Sequence, residues 1–132
     1  MMEIFKNGSR SQKKASSDYF YGDVLQEPII EAPGPARVRA LKVSFEPMAR
    51  TAWHTHPLGQ TLYVISGIGL VCIRNAPAKI IEEGDTIWIR PHEEHWHGAT
   101  KDSSMEHIAI QESLDGKVAT WLEQVSDKDY LS

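Results

Sequence analysis

Between residues 29 and 111 the sequence is a series of short β-rich runs separated by glycine and proline. Many short strands at this spacing are typical of a β-sandwich or a small barrel. Chain reversals are expected at Pro33-Gly34-Pro35, at Gly67 and at Gly84-Asp85, since glycine accepts positive φ and proline fixes the entry of a turn. The predicted strands cover residues 38–46, 60–66, 69–74, 86–90 and 105–112. The sequence therefore predicts an all-β fold.

The 132 residues are enough for one domain with a hydrophobic core and too few for two ordinary ones. Residues 1–28 are mostly polar and predict a partly ordered arm, which its Tyr19-Phe20-Tyr21 cluster would dock onto the barrel or a neighbouring subunit. Residues 29–132 are predicted to form the domain itself. In it Val118, Trp121, Leu122 and Val125 recur at helical spacing, so we expect a C-terminal helix packed on the barrel. Trp121 has a structural explanation there and is assigned no chemistry.

Charge, hydropathy and cysteine content limit which binding partners and compartments are expected. The formal net charge of −4 comes without a cluster of lysine and arginine, so nucleic acid is not an expected partner. No apolar run is long enough for a membrane span and no signal peptide is visible, so no membrane is expected. The single cysteine, Cys72, excludes an internal disulfide and fits a reducing compartment. We expect a cytoplasmic protein that acts on a small molecule.

The histidines are the informative residues. His54 and His56 form one His-x-His pair, and His95 and His97 form another. Residues at i and i+2 of a strand point to the same side, so each pair can supply half of a site. Gln60 follows across the Pro57-Leu58-Gly59 turn and can add an oxygen donor. Imidazole nitrogens with an oxygen suit Mn, Fe, Ni, Cu or Zn, so the pattern predicts a metal site.

In its motifs the chain resembles the cupins. The first cupin motif, His-x-His followed by an acidic ligand and a glycine, is matched by His54-Thr55-His56, Gln60 and Gly67. The second motif is matched by Gly84 and, eleven residues later, His95. Departures from the second motif are Arg90, His92 and Ala99 in place of the usual Pro, Gly and a frequent Asn. The resemblance implies a small double-stranded β-helix, or jelly-roll, barrel and a homodimer or homotetramer.

A narrower resemblance connects the chain with the bacterial manganese cupins that have hydroxynitrile lyase activity. It rests on the segments TAWHTHPLGQT, EEHWHGA and HIAIQESLDGK. The resemblance implies one divalent metal, with manganese preferred and iron, zinc or nickel accepted. The ligands that it implies are His54, His56, Gln60 and His95. The residues that it places around the same pocket, and that we take as catalytic candidates, are His97, His107 and Gln111.

Several roles stay open on the sequence alone. Gln60 stands where most cupins have glutamate, so a neutral ligand set would leave the ion its full charge and favour polarisation over redox chemistry; alternatively, Gln60 only lines a three-histidine site. Either His107 or His97 can be the base, and His97 can instead support the ligands.

Leu41, Val43 and Phe45 form either a pocket wall or plain core. Trp53 and Trp96 alternate with ligands and are interpreted as outer-face packing.

The predicted function is hydroxynitrile lyase activity, in which a cyanohydrin such as mandelonitrile is cleaved to or formed from an aldehyde and cyanide. Two alternatives remain. One is another metal-cupin enzyme, a decarboxylase, isomerase or dioxygenase acting on a small carbonyl acid. The other is a non-catalytic cupin that binds a small molecule, against which stand the titratable groups predicted around the metal.

Overall fold

The computed structural model describes residues 2–132 as antiparallel β-strands and one short helix, which confirms the all-β class. In chain order the elements are β1 Lys13–Lys14, β2 Phe20–Tyr21, β3 Val24–Glu31, β4 Val38–Phe45, β5 Arg50–Thr51, β6 His54–Thr55, β7 Gln60–Ile73, β8 Lys79–Glu82, β9 Thr86–Ile89, β10 His95–Ala99, β11 Met105–Glu112, β12 Thr120–Trp121 and α1 Asp127–Leu131.

The strands form one curled sheet, and the long strand β7 belongs to both of its halves. The first half of β7 pairs with β11 and β9, and beyond β11 the sheet continues with β4, β3 and β1. The second half of β7 pairs with β10 and β8, and β10 leads on to β5, β6, β2 and β12. The two halves face each other across the core, which is the predicted jelly-roll arrangement.

A chain reversal was predicted at Gly67, but the structure has none there. Gly67 lies inside β7, which is one strand where two had been expected. Its φ of 79° accompanies a register shift, since Glu106 pairs with Ser66 whereas His107 pairs with Val64. This bulge lets a single strand bend from one half of the sheet into the other. Strand β8 was not predicted, and the turn at Gly84-Asp85 lies between β8 and β9 as expected.

Alternation along β11 separates the inside of the barrel from its outside. Met105, His107, Ala109 and Gln111 are buried, and the residues between them are more exposed. The inward residues of β11 begin with the apolar Met105 and end with the polar Gln111. One strand therefore contributes both to the hydrophobic core and to the candidate site. The apolar core on this side includes Val24, Phe45, Leu62, Val64, Ile89 and Met105.

The predicted short C-terminal helix is present, but it lies later in the chain than expected. Residues 118–125 are not helical, and the only helix in the described chain is α1, capped by Ser126, whose Oγ accepts from the Asp129 backbone N–H at 3.1 Å. Trp121 pairs with His54 in the sheet. The open edge of β6 offers backbone hydrogen bonds to this segment, and that tertiary pairing outweighs helical periodicity.

Short strands from residue 13 onward pair the N-terminal region with the barrel. Strand β1 pairs with β3, and β2 pairs with β5. Phe20 is buried in the core cluster. Strand β3 runs through the position at which the sequence divides arm from domain, and the division at residue 28 stays a prediction.

Candidate metal centre and its pocket

Strand pairing brings the two His-x-His motifs together at one end of the barrel. His54 on β6 lies opposite His95 on β10. His56 follows β6, and Gln60 opens β7 after a turn at Gly59, where φ is 82° and a Cβ would lie 2.9 Å from the Ile89 carbonyl oxygen. Only glycine fits there, so this turn fixes how Gln60 enters the site.

Three of the histidines present the same ring nitrogen to the site. The Nδ1 atoms of His54, His56 and His95 lie 2.9, 2.6 and 2.8 Å from the carbonyl oxygens of Ala52, Val118 and Glu93. A carbonyl oxygen only accepts, so each Nδ1 carries the proton and each Nε2 carries a lone pair. The Nε2 atom of His56 is buried without a hydrogen-bond partner in the described structure.

The orientation of Gln60 is fixed by a chain of amides. Gln111 donates from Nε2 to the carbonyl oxygen of Arg39 at 3.1 Å, and its Oε1 accepts from Gln60 Nε2 at 3.0 Å. Gln60 Oε1 therefore points the other way, 3.3 Å from His95 Nε2. Two lone pairs are adjacent at that distance, and a cation bound by both atoms would remove the repulsion. The donor set fits a divalent metal.

Burial keeps the site neutral. It lowers the pKa of His54 well below its ordinary value, and the neighbouring His95 and His56 lower it further. It lowers the pKa of His95 to about 4 and also that of His56. At neutral pH the imidazoles are therefore uncharged, which is the form that binds a metal.

His97 and His107 form a buried pair beside this set. His107 Nε2 and His97 Nδ1 are 3.0 Å apart, so one donates to the other. The remaining nitrogens, His97 Nε2 and His107 Nδ1, are buried without a partner in the described structure. Burial lowers the pKa of His107 to about 4, and burial followed by the charge of His107 lowers that of His97 well below its ordinary value.

Ring nitrogens of His54, His95 and His97 all lie within 4.8 Å of one another, and His56 is outside that group. The ring centroids of His54 and His56 are nevertheless 4.9 Å apart. The site therefore holds four histidines and Gln60, and the assignment of four of these five as ligands stays a prediction. The ring centroid of His97 lies 5.3 Å from that of His54 and 4.8 Å from that of His107, so His97 is placed to act either as a ligand or as a base.

A largely apolar cavity of about 110 Å³ opens beside these residues. Leu41, Val43 and Ala109 line it, so two of the three candidate wall residues do face the pocket. Phe45 does not line it; its ring lies 5.2 Å from that of His107 and supports the pair from the core. The lining residues that the sequence analysis did not assign to the pocket are Phe20, Gln26, Thr51, Val118, Ala119 and Trp121.

Trp121 is the main residue that the sequence analysis missed. Its ring stacks on that of His54 at a centroid distance of 4.5 Å and an angle of 27°. No local signal marks this contact, because it depends on the pairing of β12 with β6. Trp53 and Trp96 do pack away from the site, in a second cluster with Cys72, Val125 and Tyr130. Trp88 is 58% exposed and lies outside the pocket.

Residues 41–111 match the family described as "Cupin domain". The chain belongs to the cupins. This cupin is 49% identical over 129 residues to a protein of Granulicella tundricola named (R)-mandelonitrile lyase, and the alignment covers 98% of both chains.

Solved structures agree with the assignment. A cupin-like protein of Thermotoga maritima is 38% identical and superposes with a TM-score of 0.86, covering 98% of this chain and 95% of its own. A polyketide cyclase of Streptomyces resistomycificus is 16% identical with a TM-score of 0.77, covering 98% of this chain and 91% of its own. The second likeness concerns the fold alone. No helix in residues 2–132 of this cupin is long and apolar enough to cross a membrane.

Proposed function

We propose that this cupin is a metal-dependent hydroxynitrile lyase, which cleaves or forms cyanohydrins such as mandelonitrile. The observation that carries the proposal is the juxtaposition of a metal donor set and an unpartnered base, His97 Nε2, on one apolar pocket. The relative named (R)-mandelonitrile lyase supports the reaction, because its alignment spans nearly the whole of both chains.

The proposed ligands are His54, His56, Gln60 and His95, which bind one divalent ion, preferably manganese, with iron, zinc or nickel as substitutes. All four side chains are neutral, so the ion keeps its full charge. When bound, it supplies positive charge to stabilise the negative charge that develops on the substrate oxygen and the departing cyanide.

His97 is the proposed base. Its Nε2 takes the hydroxyl proton of the cyanohydrin, the O–H electron pair forms the carbonyl, and the carbon–carbon bond breaks with its electron pair leaving as cyanide. The imidazolium then returns the proton to cyanide, so aldehyde and hydrogen cyanide are the products. His107, 3.0 Å from His97 Nδ1, holds the ring in place and shares the charge of the imidazolium.

Gln111 lines the same pocket from β11. Its Oε1 and one N–H hold the Gln60 amide in the network described above. A primary amide has a second N–H, which we assign to the substrate oxygen or the departing nitrile. The same residue then links the metal ligand set to the substrate.

The pocket favours a compact apolar substrate. An apolar cavity of about 150 Å³ accepts one benzene ring in another protein, and this cavity of about 110 Å³ is open at its mouth. Leu41 and Val43 supply the wall against which such a ring would pack. An aryl aldehyde or its cyanohydrin is the proposed substrate class.

The test is cleavage of racemic mandelonitrile by metal-depleted protein reloaded separately with Mn²⁺, Fe²⁺, Zn²⁺ and Ni²⁺, with cyanide and benzaldehyde followed together. We expect manganese to restore cleavage above the metal-free level and His54→Ala to abolish it. His92→Asn is the control, because His92 is exposed and asparagine tolerates its positive φ.

If no metal restores cleavage although the protein binds one, the lyase assignment fails. The reaction is then sought among small carbonyl acids, and oxygen uptake distinguishes a dioxygenase from a decarboxylase or isomerase. Retained ligand binding without any turnover would identify a binding cupin.

A further inference from the structure

The segment of residues 117–125, here called the C-terminal strap, crosses the open end of the barrel. Lys117 begins it, with two backbone hydrogen bonds to Leu114 of 2.7 and 2.9 Å. At the other end Glu123 accepts from the Arg74 guanidinium at 3.0 and 3.1 Å, and the Val125 carbonyl accepts from Arg50 at 2.9 and 3.3 Å. The strap is held at both ends.

Between those anchors the strap contacts two histidines of the metal centre. The Val118 carbonyl oxygen accepts from His56 Nδ1 at 2.6 Å. Trp121 pairs with His54 through the sheet and stacks on its ring. One His-x-His motif is thus oriented by chain that lies about 60 residues further on.

Two aromatic rings of the N-terminal region also pack against the Trp121 ring. Tyr19 stacks against it with a centroid distance of 4.7 Å and an angle of 12°, and Phe20 packs at 5.7 Å. The imidazole of His54 is also held by its hydrogen bond to Ala52. A ring fixed both by that bond and by a flat neighbour keeps its Nε2 in one direction.

We propose that Trp121 is a positioning residue for the metal centre, which fixes the His54 imidazole and thereby sets metal affinity, with the Val118 carbonyl doing the same for His56. This inference rests on the proposed metal site. Groups that orient metal ligands typically change metal affinity by about 10- to 100-fold when they are removed. Trp121 meets that description through ring stacking rather than through a hydrogen bond.

The experiment compares metal binding by the metal-free full-length protein and its Trp121→Ala variant, using calorimetric titration with Mn²⁺ alone and then Zn²⁺ alone. We expect affinity to fall about tenfold or more in Trp121→Ala, and Trp121→Phe, which keeps a flat ring, to recover most of it. Leu122→Ala is the matched control. Leu122 is the next residue of the strap, is 36% exposed and lies outside the pocket, so this variant should bind like the unchanged protein.

A second readout covers the case in which Trp121→Ala does not fold. A paramagnetic ion such as Cu²⁺ quenches an indole that lies against one of its ligands, so addition of Cu²⁺ should quench the tryptophan emission of the unchanged protein. In Trp121→Phe the part of the quenching that comes from Trp121 should be lost, while Trp53, Trp88 and Trp96 still contribute theirs. Quenching that is unchanged in Trp121→Phe overturns the proposal.

The outcomes separate this inference from the proposed function. Equal affinities of the unchanged protein and a folded Trp121→Ala overturn the positioning role and leave the metal site intact. Failure of the unchanged protein to bind any of the ions overturns both.

Discussion

At the scale of single residues, the site is defined by which nitrogen of each imidazole is free. Backbone carbonyl oxygens accept hydrogen bonds from the Nδ1–H groups of three histidines, so the Nε2 atoms of these histidines are free to bind a metal. His97 differs, because its Nδ1 is engaged by another histidine, His107. A ring whose partner can share a proton is suited to proton transfer, whereas a ring pinned by a carbonyl is suited to ligation.

This difference predicts unequal effects of two substitutions. At equal metal content, His97→Ala should lower the rate of cyanohydrin cleavage by about 100-fold or more, since it removes the base. His107→Ala should lower it less, because His97 Nε2 remains. The measurement is the steady-state rate of each variant beside its bound metal.

Metal content decides between the two roles of His97. A His97→Ala protein that binds one equivalent and loses its rate has lost a base. Loss of the metal itself would mark His97 as a ligand, and an unchanged rate would remove it from the mechanism.

At the scale of elements, the bend in β7 at Gly67 joins the two halves of the sheet. Its φ is 79°, and a Cβ there would lie 2.0 Å from the Ser104 carbonyl oxygen. Backbone occupies the space that a side chain would need, so the bulge accepts glycine only. Since His107 comes two residues after the first β11 residue paired at this bulge, the bend also sets the register that aims His107 inward.

Gly67→Ala should therefore destabilise the protein by roughly 3 kcal/mol or more, through positive φ and displacement of backbone. Gly84→Ala is the matched control, because φ there is 91° but nothing lies within 4 Å of a Cβ. That variant should lose only about 1 kcal/mol. Urea unfolding of both measures the difference, and equal losses would show that the contact with Ser104 has no cost.

At the scale of the whole molecule, five buried histidines make the metal-free fold sensitive to acid. For His107 the ordinary pKa of 6.5 falls to about 4 in the folded protein. Between those values the unfolded chain binds a proton that the folded chain does not, so stability falls as pH falls. The gap corresponds to about 3 kcal/mol for this residue when the whole window has been crossed.

We expect the unfolding temperature of metal-free protein to decrease steadily from pH 7 to pH 4.5. His107→Gln should reduce the proton uptake on unfolding at pH 5.5 by about one proton, since glutamine does not titrate. His92→Asn, which changes an exposed histidine, should keep the slope of the unchanged protein. An identical slope in His107→Gln would mean that His107 titrates normally in the folded state.

The outer surface bears on assembly. Trp88, Tyr63 and Ile110 are 58%, 43% and 38% exposed on the outside of the sheet. The homodimer or homotetramer that the cupin resemblance implies stays a prediction.

The sequence by itself determined most of the strands and the His-x-His pairs and predicted a metal site, since alternation and motif spacing are local properties of a strand. β4, β9 and β11 match their predicted ranges within a residue or so, and the inward face of His107, Ala109 and Gln111 follows from period two. The cupin resemblance added which of these residues form one ligand set, and that assignment stays a prediction.

Only the tertiary structure decided how the predicted ligands are oriented. The spacing of Val118 and Trp121 predicts a helix, but Trp121 instead pairs with His54 at the edge of β6, and the Val118 carbonyl oxygen accepts from His56 Nδ1. The amide chain from Arg39 through Gln111 to Gln60 likewise joins residues that are far apart in sequence. Long-range pairing carries no local signal, so the contacts that orient these imidazole and amide side chains appear only once the sheet has closed.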